Sequence, residues 1–219
     1  EEGSPRGGRL GGDLAQCSGF LNLPPEPRFA WASQFDGSAT GDWTCIRAET
    51  IDGMLFTPRW PNTPTKGMTW NPEDTGGRIV KADVTEAVHE LFRRFDVERM
   101  YCDPPLWESE IIDWANEHGD ERVLKWATYR PLPIHEALEQ FRADVGSGRL
   151  THDGCPVTTQ HIENIRMQHR NSGRYVAAKP DAARKIDAGI TAVLAHKAAS
   201  DARAAGWSDE PEEHFTFGW

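Results

Sequence analysis

Residues 29–60 read FAWASQFDGSATGDWTCIRAETIDGMLFTPRW. Three apolar, strand-like runs at 29–35, 43–51 and 54–60 are separated by DGSATGD and by Asp52-Gly53. Asp-Gly and Thr-Gly are turn material that joins neighbouring strands antiparallel, so the pattern makes a three-strand antiparallel meander. Beyond it, the stretch 61–78 is too rich in Pro, Gly and Thr for a regular element and is expected as an excursion loop. A helix follows at 83–95, with Val84, Val88, Leu91, Phe92 and Phe95 on one face and Asp83 as its cap. Next come a strand at 97–103 that stops at Pro104-Pro105 and a helix at 107–117 carrying Trp107, Ile111 and Trp114, which Gly119 ends. A strand at 122–127 and a helix at 134–145 lead to a helix that begins at Pro156 and runs to 170. The last helix spans about 180 to 205.

That order constrains the architecture. A meander followed by right-handed crossovers into further strands gives an α/β mixed sheet with helices on both faces. This is the ribonuclease H-like topology. Residues 1–27, rich in Gly and Pro and ending in LPPEP, read as a linker or leader arm; 28–205 forms the domain and 206–219 a C-terminal tail.

The 219 residues are 38% hydrophobic and include nine Trp, enough for one real core. No window reaches the eighteen or so uninterrupted apolar residues of a membrane span, and the N-terminus has no signal or transit pattern, so a soluble protein is expected. Cys17, Cys45, Cys102 and Cys155 form no C-x-x-C pair; a disulfide framework is not expected, which fits a reducing compartment. A net charge of −10 argues against a general nucleic-acid coat. An enzyme that gathers acids at a metal site and confines its basic residues to one groove remains compatible with it.

In the expected sheet the first and fourth strands lie side by side and parallel, so Asp36, after the first, and Asp103, after the fourth, meet. Asp187 borders the apolar stripe of Ile186, Ile190, Val193 and Leu194 on the last helix and is aimed back at the sheet. Two carboxylate charges about 4 Å apart repel by roughly 4 kcal/mol at an effective dielectric near 20. A proton or a cation must compensate, and hard oxygen ligands suit Mg2+ or Mn2+. Taken singly, each acid also has an ordinary structural reading. Asp36 closes a turn, Asp103 breaks a strand before Pro104, and Asp187 pairs with Arg184 or Lys185 on a helix surface.

The segments FDGSATGDWT, MYCDPPLWESEIIDWANEHG and KIDAGITAVLAHKAA resemble the three acidic motifs of the nuclease domain in the large terminase subunit of tailed bacteriophages. The resemblance covers about 29–199. It implies that Asp36, Asp103 and Asp187 bind two Mg2+ or Mn2+ ions and catalyse phosphodiester hydrolysis of concatemeric viral DNA during genome packaging, leaving 3′-hydroxyl and 5′-phosphate ends. Asp42 is a further candidate ligand. The implied setting is the host cytoplasm, and the implied partners are double-stranded DNA, the packaging ATPase domain, the small terminase subunit and the portal. No G-x-x-x-x-G-K-[ST] phosphate loop occurs in these residues, so ATP hydrolysis is not ascribed to them.

Arg166, Arg170, Lys179, Arg184 and Lys185 cluster in the last third of an acidic chain, and Lys66 and Arg78 sit in the excursion loop. They are either solvated surface or a lip that tracks DNA phosphates. Two rivals stand beside the packaging nuclease. One is another ribonuclease H-like nuclease of resolvase or integrase type; the other is a non-catalytic docking module for a packaging motor or portal.

Overall fold

The computed structural model describes residues 28–35 (main chain), 41–170 and 173–208. The meander forms as read: β1 (Arg28–Phe35), β2 (Thr44–Thr50) and β3 (Met54–Phe56) pair antiparallel in sequence. The crossover through α1 (Lys81–Arg94) then brings β5 (Asp96–Cys102) parallel to β1, with Ser33 opposite Cys102. After α2 (Glu108–His118), β6 (Val123–Lys125) adds parallel to β5. Next, α3 (Pro131–Gly146) leads to β7 (Thr151–His152), parallel to β3 at the other edge. The strand order is β6-β5-β1-β2-β3-β7, with β4 (Thr69–Trp70) paired to β2 off this path.

Helices cover both faces, and β2 shows why the sheet needs both. Ile46 and Ala48 alternate onto the face covered by α1 and α2, among Met100, Cys102, Val84, Val88, Leu91 and Trp114. Arg47 and Glu49 point the other way, toward α4 (Pro156–Asn164) and α5 (Asp187–Ala204), yet both are completely buried. Buried charges persist only when their polar atoms are met. Arg47 donates to Oγ1 of Thr158 (2.7 Å), to Oγ1 of Thr69 (3.0 Å) and to the carbonyls of Ile46 (2.8 Å) and Met68 (3.1 Å). Glu49 accepts from His196 and Arg203 on α5. The rest of that face is apolar, with Tyr101, Leu138, Phe141, Ile162, Ile190, Val193 and Leu194 packed together.

The structure departs from the sequence-based expectations at several places. Asp83 does not cap α1, which starts two residues earlier; its carboxylate accepts the indole N–H of Trp60 (3.0 Å), that of Trp70, and the amide of Asn62 (2.8 Å). The excursion loop is partly regular, because β4 pairs with Thr44 and Cys45 and a 3-10 turn follows at Pro72–Thr75. The helix from Pro156 stops at Asn164, and the chain then forms a hairpin of β8 (Arg166–His169) and β9 (Tyr175–Ala178). The last helix starts at Asp187 rather than near 180, because the Asp181 carboxylate takes the N–H groups of Ala183 and Arg184 into a local turn. At the other end of α5, Trp207 packs on Ala199, Ala202 and Ile51. Among the described residues no helix is long and apolar enough to cross a membrane.

Candidate metal centre

The parallel pairing of β1 and β5 makes both strands finish at one end of the sheet, where β2 begins. Asp103 is the first residue past β5 and is only 3% exposed. Its carboxylate is held by Thr128, whose N–H donates to Oδ1 at 3.3 Å and whose hydroxyl donates to Oδ2. Thr128 reaches it because β6 continues alongside β5, with the Trp126 N–H on the Cys102 carbonyl at 2.8 Å. Asp187 arrives at the same end from α5 and is completely buried. Its Oδ2 faces the N–H of Trp43 at 3.4 Å, immediately before Thr44, which pairs with Phe35 at the end of β1. Asp36, the next residue after β1, lies outside the described residues.

The start of α5 is fixed by α4. Asn164 donates to the Lys185 carbonyl at 2.9 Å, and Nδ1 of His161 accepts the Ala188 N–H at 3.1 Å, satisfying one of the donors that a helix start leaves open. Such an acceptor must be a neutral imidazole. Burial, helped by the charges of Arg47, Lys179 and Lys185, pushes the His161 pKa down to about 4 and keeps it so. Gly189 completes the contact: a Cβ there would lie 2.9 Å from the backbone of His161 and of Ile162. Asp187 also sits in the first turn of α5, where the helix dipole favours an anion.

Two ammonium groups enter the site. Lys179, just after β9, bonds the carboxylate of Asp42 and lies 3.6 Å from Oδ1 of Asp187; Lys185 lies 3.5 Å from Oδ1 of Asp42. Among the described residues, Asp42, Asp103 and Asp187 do not bring their oxygens as a trio within 4.8 Å of one another. The donor set is nevertheless all carboxylate oxygen, largely shielded from water and accompanied by cations that offset its charge. It fits a hard divalent ion of the Mg2+ or Mn2+ kind.

The other basic candidates have further partners or face solvent. Lys66 folds back on the Pro61 carbonyl (2.9 Å), Arg184 pairs with Asp181 (3.1 Å), and Arg166 donates to the carbonyls of Glu163 and Ile165. Arg78 and Arg170 are exposed. Thr128 and His161 belong to the site although nothing in the sequence marks them. Both act from elements that reach it only through the tertiary fold.

No protein-family model matches the chain. The Gene 13 proteins of Mycobacterium phages L5 and D29 are each 29% identical to it, over 179 and 180 residues that cover 76% of this chain and 29% of each relative. The chain thus spans less than a third of those relatives' length. Among solved structures, the large terminase nuclease from thermophilic phage G20c aligns with a TM-score of 0.60 at 10% identity, covering 86% of this chain and 97% of that one. The fold is that of a large-terminase nuclease. The same G20c nuclease with bound magnesium aligns at 0.62 over 88% of this chain and 98% of its own, at 10% identity. The HK97 large terminase aligns at 0.56 and 17% identity, covering 85% of this chain and 41% of that protein. The ribonuclease H-like topology and the resemblance read from the motifs are borne out at the level of the fold. Terminase nucleases of this fold have been solved with magnesium, cobalt and manganese.

Proposed function

We propose that the chain is the nuclease portion of a phage genome-packaging protein, a metal-dependent DNA endonuclease that cuts concatemeric viral DNA. The observation that carries this reading is the arrival of two buried carboxylates, Asp103 and Asp187, at the sheet end where β1 finishes, beside two ammonium groups. Asp36, the residue that follows β1 in the sequence, is counted with them on the strength of the motif resemblance. These three acids would hold the ions, two by the resemblance, with Asp42 as a further ligand. When bound, such ions activate water and stabilise the leaving oxygen of a phosphodiester.

The protein's own groups prepare the site. Thr128 orients both oxygens of Asp103, and the Trp43 N–H faces Asp187. Lys179 and Lys185 offset the acids' charge and border the path of an incoming phosphate. Arg166, Arg170, Arg184, Lys66 and Arg78 would contact the DNA backbone, which carries charge but no sequence information, so selectivity is low. Packaging ATPase, small terminase subunit and portal are the partners that such a nuclease serves.

The test is cleavage of supercoiled plasmid in Mn2+ or Mg2+. Asp36→Asn, Asp103→Asn and Asp187→Asn are each expected to abolish cutting while the circular dichroism spectrum stays that of the wild type. Full cleavage by any one of them removes that residue from the mechanism, and full cleavage by all three ends the proposal.

A further inference from the structure

Among the described residues, the group of His, Cys, Asp or Glu side chains that gathers its ligand atoms within 4.8 Å is His89, Glu117 and His118. It lies on the α1/α2 face, with His89 in α1 and Glu117-His118 closing α2. Asp103 precedes α2, so the length of that helix, about 15 Å, separates the two places. Nδ1 of His89 is 2.8 Å from Nε2 of His118 and 3.3 Å from Oε1 of Glu117. Two ring nitrogens at that distance cannot both carry protons, so at least one lone pair points into the gap. The His118 ring is fixed by stacking on Phe92, with centroids 4.1 Å apart and planes within 2°.

We propose that His89, Glu117 and His118 form a binding site for a borderline divalent transition metal, Zn2+ by preference, distinct from the carboxylate centre. Two imidazoles and one carboxylate are a donor set that zinc accepts and that Mg2+ does not seek. Tetrahedral zinc with bonds near 2.0–2.1 Å places its ligand atoms about 3.3 Å apart. The His89–Glu117 separation already has that value, and the His89–His118 contact needs to open by about half an ångström. Glu117 is 60% exposed at its side chain, which leaves the fourth position to water. An ion here ties the second half of α1 to the end of α2.

The experiment titrates Zn2+ into zinc-free protein kept in saturating Mg2+, followed by calorimetry and by melting temperature. One zinc per chain is expected, with a raised melting temperature that Asp103→Asn retains. His89→Gln and His118→Gln are expected to weaken binding by at least about tenfold, since even groups behind the ligands act on that scale. If both melt well below the wild type before zinc is added, Glu117→Gln, at the most exposed of the three positions, decides in their place. Zinc binding that is absent from the wild type, lost in Asp103→Asn, or unchanged in the Gln variants overturns the proposal.

Discussion

Lys179 bridges Asp42 and Asp187: its ammonium is bonded to the first and 3.6 Å from Oδ1 of the second. A cation on the chain therefore occupies ground that the proposed ions would share. Replacing it by an isosteric apolar residue leaves two shielded carboxylates with less compensation. Lys179→Met is expected to lower the stability of the metal-free protein by about 1–3 kcal/mol. Because a bound ion then replaces a missing charge, Mg2+ should raise the melting temperature of this variant more than that of the wild type. Thermal melts of both proteins with and without Mg2+ check it. An equal rise would mean that the lysine and the ion do not compete for the same carboxylates.

Thr128 meets both oxygens of Asp103, one by its N–H and one by its hydroxyl. Only the hydroxyl can be removed without disturbing the chain. Thr128→Val, nearly the same shape, removes the hydroxyl that donates to Oδ2. Groups that orient a metal ligand are typically worth tenfold to a hundredfold in affinity or activity. Plasmid cleavage by this variant is expected to need a correspondingly higher Mn2+ concentration, with a stability loss of about 1–3 kcal/mol for the buried acceptor left short of a donor. A wild-type metal dependence would show that Asp103 is held in place by other means.

Gly189 stands where α5 approaches the backbone of α4, with room for no Cβ: the nearest atoms, in His161 and Ile162, would be 2.9 Å away. Those are backbone atoms and cannot swing aside. Gly189→Ala should therefore shift the start of α5, costing about 1–3 kcal/mol by overpacking, despite alanine's better helix propensity. Asp187, two residues earlier, would move with it, so cleavage should fall as well. Urea denaturation and plasmid cutting measured together test both halves. A stabilised variant would show that the two helices can separate at no cost.

The meander and the parallel pairing of β1 with β5 were legible because their signals are local: Asp-Gly turns, short apolar runs, and a strand that runs into Pro104-Pro105. Asp103 came with them. The hairpin β8–β9 was hidden because Ile162 and Ile165 keep the helical spacing alive, while the partner strand begins at Tyr175, with five residues between it and the end of β8. The start of α5 was misplaced for a similar reason. DAARK is good helix material, but the Asp181 carboxylate satisfies two backbone N–H groups outside any helix. Lys179 and Lys185 were grouped with the surface cations since their partner, Asp42, is far away in sequence and only the folded sheet brings it near. His161 gave no sign of its role, because accepting an N–H from Ala188 depends on two helices meeting.

A last prediction concerns His196, which sits 3% exposed between two carboxylates. Nδ1 is 2.8 Å from Oε2 of Glu49 and Nε2 is 2.9 Å from Oδ2 of Asp144; Arg203 meets Glu49 at 2.7 Å and Arg149 meets Asp144 through Nε at 2.8 Å. The Phe141 ring lies edge-on at 5.8 Å. Burial opposes a charged ring, but the hydrogen bonds and charges of Glu49 and Asp144 outweigh it and raise the His196 pKa. Burial likewise works to raise Asp144, and Arg149 and His196 overcome it, so that carboxyl is held below its usual range. A raised histidine stabilises fully below its unfolded value, about 6.5, and its contribution is lost as pH rises through the folded value. A lowered aspartate stabilises above its unfolded value, about 3.9, and its contribution is lost as pH falls through the folded one. The stability difference between wild type and His196→Gln should therefore be largest between about pH 4 and 6.5, on the order of 3 kcal/mol for a broken buried pair, and shrink on the alkaline side. Urea melts across that range decide it. A difference that grows with pH would mean that the ring is neutral in the folded protein, with one of the two carboxylates protonated against it.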